Sequence, residues 1–273
     1  MGLPQELVDH ITDMLHDDVS ALKACSLTCK AMFASTRHLI HQTLRLTLQN
    51  NWSVLTKQEK SRYPRLDHRD ELRFVSYMGE RGFLQYTRRV HIHMCGLFTP
   101  DVLLPHLHHF QTMDQVHTLT IERHRALQWA IDFKTYFAHF YPTITSLTLS
   151  HPSGPYQLLL HFALQFPNLE NLCLKGVERF TQPNLAIHPN TDRLPPLRGH
   201  LRLVGINTVL EWPTDFVYGL PNGMNFQSVE LEDFCGSQAR DILNACAHSL
   251  EDLTVGPRRT GTARLLFLVS VVT

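Results

Sequence analysis

The feature that most constrains the fold of this chain is a short apolar pattern that recurs along its length. The pattern has the form apolar-x-x-apolar-x-apolar, and its copies are Val116-Leu119-Ile121, Ile144-Leu147-Leu149, Leu169-Leu172-Leu174, Phe226-Val229-Leu231 and Leu250-Leu253-Val255, with looser copies at Val90-Ile92 and Leu201-Leu203. Successive copies lie 24 to 29 residues apart when Val90, Leu119, Leu147, Leu172, Leu201, Val229 and Leu253 are treated as equivalent. Alternating apolar residues predict strands with one buried face.

The spacing of these strands resembles that of leucine-rich repeats, and leucine is abundant throughout the chain. The connectors are apolar and aromatic, as from Ala126 to Phe140, which predicts helical or irregular cover over the strands. The Asn that usually follows the strand in that family is missing, so an irregular solenoid is expected. A βαβ enzyme fold is the competing interpretation. The absence of a Gly-rich turn between strand and helix in the sequence favours the repeat.

Polar residues alternate with the buried positions of the predicted strands. In a solenoid they would line the concave face, which is the usual binding surface of such folds. The sequence leaves open whether the residues that recognise a ligand lie on this face or on the loops. The candidate target-binding residues are Thr118, Thr120, Ser146, Thr148, Asn171, Cys173, Ser228 and Glu230, with Arg202, Asp252 and Thr254 at equivalent positions. Most are small and polar, and they lack the aromatic anchors common in binding hot spots.

The N-terminal residues have helical rather than strand periodicity. Three short helices are predicted: one behind Pro4, one beginning at Ser20 and one over Thr36 to Gln42. The motifs in this segment are Leu3-Pro4, Glu6-Leu7, Ile11 with Leu15, Asp17-Asp18 and Leu22-x-x-Cys25-Ser26-x-x-Cys29-Lys30. In this order they resemble an F-box, over about Leu3 to Thr43. Met32 stands where that family usually has Trp.

The resemblance implies a substrate-recognition subunit of a Skp–cullin–F-box ubiquitin ligase, without catalytic residues or cofactors of its own. The partners would be the Skp adaptor, the cullin scaffold and an unknown target protein. The implied adaptor-binding residues are Leu3, Pro4, Leu7, Ile11, Leu22, Leu27 and Cys29. The expected fold class is a mixed α+β or α/β repeat, with a three-helix F-box at residues 1–43 and an irregular leucine-rich-repeat-like solenoid at 44–273. The solenoid is expected to be incomplete at its C-terminus, because residues 265–272 are apolar and no polar cap follows them.

Charge and composition exclude several other functions. Lys and Arg together number 25, as do Asp and Glu, so the formal net charge is zero and a nucleic-acid grip based on bulk positive charge is not expected. The sequence shows no signal peptide and no apolar run long enough to span a membrane. The six cysteines show no CxxC pair, which favours a reduced cytoplasmic or nuclear protein.

Two alternative functions remain open from the sequence. One is a repeat scaffold with a vestigial F-box that does not serve a ligase. The other is a metal-dependent enzyme that uses some of the 18 histidines, with His91 and His93 on one strand face and His106, His108 and His109 in a connector. Cys25 with Cys29 as half of a metal site is a further, weaker possibility, and no site is predicted from it. None of the common catalytic motifs is found in the sequence.

Overall fold

The computed structural model describes residues 3–49, 75–95, 107–124, 140–154, 162–176, 179–180, 197–204, 224–232, 236–256 and 267–268. The strands in these ranges are β1 (Thr43–Gln49), β2 (Arg89–Cys95), β3 (Thr118–His124), β4 (Ser146–Gly154), β5 (Asn171–Lys175), β6 (Arg179–Phe180), β7 (Leu197–Val204), β8 (Met224–Glu232), β9 (Asp252–Gly256) and β10 (Phe267–Leu268). Eight of them run parallel in the order β1-β2-β3-β4-β5-β7-β8-β9. The strand β6 pairs only with the end of β4, and β10 is antiparallel to β9.

The strand register brings equivalent apolar residues into straight rows across the sheet. One row consists of Leu44, Val90, Leu119, Leu147, Leu172, Leu201, Val229 and Leu253, and the next consists of Leu46, Ile92, Ile121, Leu149, Leu174, Leu203, Leu231 and Val255. From β1 to β8 every member of both rows is buried. The seven strand positions that the sequence predicts as equivalent therefore do occupy one row.

Phenylalanine side chains from the connectors cover the buried face of the sheet. Phe110, Phe140 and Phe162 are completely buried in the same core as the two strand rows. Short helical stretches in these connectors lie at 75–80, Leu107–Phe110 and 162–164, with a 3₁₀ turn at Leu84–Tyr86. A longer helix at Gly236–Cys246 adds Ile242 and Cys246 to the core.

Three helices precede the sheet: α1 (Gln5–Met14), α2 (Val19–Ser26) and α3 (Lys30–Ile40). The helix α3 begins earlier than the sequence predicts. Cys29 caps its N-terminus, because the sulfur of Cys29 accepts a hydrogen bond from the backbone N–H of Met32. Only two residues separate Ile40 from β1, and the carbonyl of Gln42 accepts the backbone N–H groups of Arg88 and Arg89. The helical segment therefore leads directly into the first pair of strands.

The expected fold class, a three-helix F-box followed by an irregular leucine-rich-repeat-like solenoid, is wrong. The structure has one sheet with eight parallel strands and few helices in the described ranges, which is an α/β-like arrangement; neither a separate F-box nor a solenoid is evident there. The reason is that the recurring pattern reports strands buried on one face in a parallel sheet. It carries no information on the curvature of that sheet or on the regularity of its connectors.

None of the helices in the described part of the chain combines the length and the apolar character that crossing a membrane requires. The expected incompleteness of the C-terminus rests on residues 257–273. Apart from 267–268 these lie outside the described residues.

Candidate functional site

An apolar stripe lies exposed along one side of α1 and its leading residues. Leu3 is 61% exposed, Leu7 49%, Ile11 38% and Met14 72%. Their spacing of three or four residues places them on one helix face. These four residues are called the α1 stripe below. Rows of exposed large apolar side chains are a common feature of protein–protein contact surfaces.

The opposite side of α1 is held against α3 by packing and by a polar network. Val8 and Thr12 on that side are buried. Ser35 of α3 donates a hydrogen bond of 2.6 Å to the Asp9 carboxylate, and the Gln5 amide donates bonds of 2.8 Å to both residues. The hydrogen bonds from Ser35 and Gln5 lower the pKa of Asp9. The orientation of the α1 stripe is therefore set by specific contacts across the helix pair.

The other residues that the F-box resemblance implies for adaptor binding differ in exposure. Pro4 is exposed, and Leu27, in the turn between α2 and α3, is 87% exposed. Leu22 is fully buried, so it supports the helix packing and has no surface to offer a partner. Met32 is half-buried and the adjacent Phe33 is 47% exposed.

Cys29 is exposed at the N-terminus of α3. The backbone N–H of Met32 points at its sulfur, at 3.5 Å, and lowers the pKa of the thiol. Positive partial charge at a helix N-terminus favours a thiolate in the same way.

The polar face of the sheet consists of three rows that alternate with the buried rows. They are Thr43, Arg89, Thr118, Ser146, Asn171, His200, Ser228 and Asp252; then Arg45, His91, Thr120, Thr148, Cys173, Arg202, Glu230 and Thr254; then Thr47, His93, Glu122, Ser150, Lys175, Val204, Glu232 and Gly256. All eight target-binding residues that the sequence predicts lie in the first two rows. The register thus brings them together on one surface.

An ion-pair network joins β7 and β8 on this face. The Arg202 guanidinium donates to Glu232 at 2.7 Å and lies 3.2 Å from the Glu230 carboxylate. His200 lies 3.7 Å from the same Glu230 oxygen, and its Nδ1 is 2.9 Å from the Ser228 hydroxyl. The hydrogen bond to Glu232 raises the pKa of Arg202. These contacts fix the relative positions of the four side chains on the surface of the sheet.

A second charged group lies between β2 and β3. His91 and His93 both approach one carboxylate oxygen of Glu122, at 3.3 Å each. Burial raises the pKa of Glu122, but the two imidazoles outweigh it and the pKa is lowered overall. Despite this pairing, the described residues contain no group of His, Cys, Asp or Glu side chains arranged to hold a metal ion. Of the connector histidines, His106 lies outside the described residues, and the rings of His108 and His109 are in contact at a tilt of 42°.

His200, Glu122 and Glu232 are absent from the target-binding residues that the sequence predicts. The signal was available, because all three fall on the alternation that identified Thr118 and its equivalents. Their ion pairs depend on the strand register, however, and Arg202 and Glu232 belong to strands some 30 residues apart. Spacing in a single sequence does not show which residues stand opposite each other.

Comparison of the chain with protein-family models, with curated proteins and with solved structures gave no match. Two surfaces of the described residues therefore remain as candidate functional sites. One is the apolar α1 stripe, and the other is the polar face of the sheet.

Proposed function

We propose that this chain is the substrate-recognition subunit of a Skp–cullin–F-box ubiquitin ligase. The observation that carries the proposal is the α1 stripe, an ordered row of exposed apolar side chains on a helix whose other side is fixed. Three of its members, Leu3, Leu7 and Ile11, are also positions that match the F-box pattern in the sequence. The geometry favours a partner on this helix face, and the sequence resemblance alone specifies a Skp adaptor as that partner.

The α1 stripe is large enough to take part in an interface with a partner, but too small to form a stable interface by itself. Burial of its four side chains in an interface would contribute about 5–10 kcal/mol in total, since each is already partly covered. Association costs about 4–15 kcal/mol in lost freedom. Further contacts are therefore needed, and Leu27 and Phe33 supply additional exposed apolar surface on the same helical segment.

The polar face of the sheet would hold the target protein. Its network of Arg202, Glu230 and Glu232 orders charged side chains before binding, which reduces the entropy lost on association. The reaction itself would then be accelerated by proximity, because a bound target lies within reach of a ubiquitin-charged enzyme carried by the other subunits. Such a subunit would act in the cytoplasm or the nucleus.

The experiment is co-purification of the full chain with a Skp adaptor after co-expression. We expect the wild-type chain to retain the adaptor. A variant with Leu7→Glu and Ile11→Glu should retain at least tenfold less, because both changes place charge in the stripe and leave the α1–α3 contact intact. Tyr77→Glu is the matched control, since Tyr77 is also 49% exposed but lies outside the three N-terminal helices α1 to α3.

Two outcomes would contradict the proposal. A wild-type chain that retains no adaptor would leave the vestigial-scaffold alternative as the better interpretation. Equal retention by the double variant and by Tyr77→Glu would show that the stripe is not the contact surface. Far-ultraviolet circular dichroism of each variant establishes that the helices are intact.

A further inference from the structure

The polar face of the sheet carries opposite charge at its two ends. At the β1–β2 end, Arg45 and Arg89 lie on this face and are exposed. Arg88 precedes β2, and Arg88 and Arg89 together contribute, after burial, to a lowered pKa of His117 at the start of the neighbouring strand. No acid in the described ranges forms an ion pair with Arg45 or Arg89. The positive charge at this end is therefore available to a partner.

The β8–β9 end of the same face is acidic. Glu230, Glu232 and Asp252 lie on it, and Glu251 precedes β9. Arg202 neutralises only part of this charge, because its single guanidinium is shared between Glu230 and Glu232. Asp252 is exposed and has no ion-pair partner among the residues that the structure describes. The net charge at this end is negative.

The strands between the two ends present mostly small polar groups, which are Thr118, Thr120, Ser146, Thr148, Ser150, Asn171 and Cys173. Two charged residues lie among them: Glu122, which is paired with His91 and His93, and the exposed Lys175. Burial raises the pKa of Cys173, so this thiol is neutral and adds no charge. Hydroxyl and amide groups both donate and accept hydrogen bonds, which suits the backbone of an extended peptide. Their small size also leaves room for its side chains.

We infer that this face binds an extended peptide segment with acidic residues at one end and basic residues at the other. Six strand spacings separate β2 from β9, a span of about 29 Å at about 4.8 Å per spacing. An extended chain rises about 3.3 Å per residue, so a segment of about nine residues bridges the two ends. Charge complementarity fixes its direction, with the acidic end at Arg45 and Arg89.

This inference rests on the proposed function, because it specifies the class of target that the ligase subunit would recognise. The same surface would bind a segment of this kind whatever the chain does with it. Peptide binding and adaptor binding are therefore measured separately on one preparation of the full chain.

The test is fluorescence anisotropy of labelled peptides of about nine residues. One peptide has aspartates at one end, lysines at the other and a serine-rich centre; a second has the same composition in mixed order, and a third is entirely acidic. The charge-segregated peptide should bind at least tenfold more tightly than either of the others, and the difference should shrink as salt is added. Equal affinity for the mixed-order or the all-acidic peptide would overturn the inference.

Charge reversal gives a second measurement that does not depend on loss of binding. With Arg45→Glu and Arg89→Glu both ends of the face become acidic, so the variant should prefer an all-lysine peptide to the charge-segregated one by at least tenfold. Arg81→Glu is the control, because this exposed arginine lies outside the strands and over the ring of Tyr77, and the variant should keep the wild-type preference. A reversed variant that keeps that preference would overturn the inference, and retained adaptor binding in the same sample would leave the proposed function standing.

Discussion

At the scale of single residues, Gly199 is a position in the sheet where a side chain cannot be added without a backbone clash. Its backbone has a φ of 89°, in the region that residues with a side chain rarely adopt. Gly199 also lies at the register shift between β7 and β8. A Cβ at this position would collide with the backbone carbonyl of Glu170. That carbonyl accepts the N–H of His200 at 2.7 Å, so it cannot move away without the loss of a strand contact.

Gly199→Ala should therefore lower the free energy of unfolding by about 3–5 kcal/mol, from backbone strain and from overpacking against a fixed carbonyl. Gly82→Ala is the matched control. Gly82 has a similar φ of 68°, but its nearest neighbour to a new Cβ is a flexible side-chain atom at 3.8 Å, so only the strain of about 1 kcal/mol is expected. Urea denaturation of both variants measures the difference. Equal losses would show that Glu170 does not restrict this position.

The importance of Gly199 could not be predicted from the sequence. A Gly-rich turn in the sequence bears only on the choice between a repeat and a βαβ enzyme, and a single glycine next to a histidine gives no sign of a register shift. The stripe on α1 was predictable in part, since the sequence predicts a helix behind Pro4 and the F-box resemblance implies Leu7 and Ile11 as adaptor-binding residues. The spacing did not show that these residues face away from α3, because Val8 on the buried side is equally apolar.

At the scale of elements, the strands differ in how completely their row residues are enclosed. Leu147 of β4 lies between Leu119 and Leu172 and is completely buried, whereas Leu253 of β9 is only partly buried. Burial of a strand position on both sides leaves a larger unfilled cavity after truncation, because neighbouring strands cannot close around it.

Leu147→Ala should cost about 3–4 kcal/mol of unfolding free energy, and Leu253→Ala about half as much, since part of that side chain already contacts water. Both changes remove the same atoms from the same register row, so each serves as the control for the other. Thermal and urea unfolding provide the measurement. If Leu253→Ala proves as costly as Leu147→Ala, then β9 is as firmly enclosed as the central strands.

Strand positions were the most predictable part of the fold. Buried parallel strands impose apolar residues at alternate positions, and the same residues must stand in register with their neighbours, so the pattern repeats wherever a strand does. The class of fold was not predictable by this route. The pattern of buried strands carries no information on the curvature of the sheet or on the regularity of its connectors, and the expectation of a solenoid was wrong for that reason.

At the scale of the whole molecule, His41 lies at the junction between the helices and the sheet, between the end of α3 and the start of β1. Its ring stacks on Phe83 with a centroid separation of 4.5 Å, and its carbonyl accepts a hydrogen bond from Thr87. Burial, and then the charge of Lys23, lower the pKa of His41 below its usual 6.5. The pKa of His117 is lowered as well, by burial and then by Arg89 and Arg88. Both histidines therefore favour the neutral form in the folded chain.

Acidification should therefore lower the free energy of unfolding already at a pH where few carboxylates become protonated. A histidine whose folded pKa lies below its unfolded pKa binds more protons when unfolded, so the free energy of unfolding is highest above pH 6.5 and falls as the pH drops below that value. The contribution of Glu122 to stability is also lost on acidification, but at a lower pH than that of the histidines. Its pKa is lowered from 4.5, so the stability it contributes is lost only in more acidic solution.

The variant His41→Phe tests this coupling, because phenylalanine keeps the stacking on Phe83 and cannot be protonated. Between about pH 7.5 and about pH 5.5 the wild-type urea midpoint should fall, and the variant should lose less stability over the same interval. His10→Gln is the control, since His10 is exposed on α1, and its midpoint should follow that of the wild type. A variant as acid-sensitive as the wild type would transfer the effect from the helix–sheet junction to His117, whose substitution by Gln would then remove it.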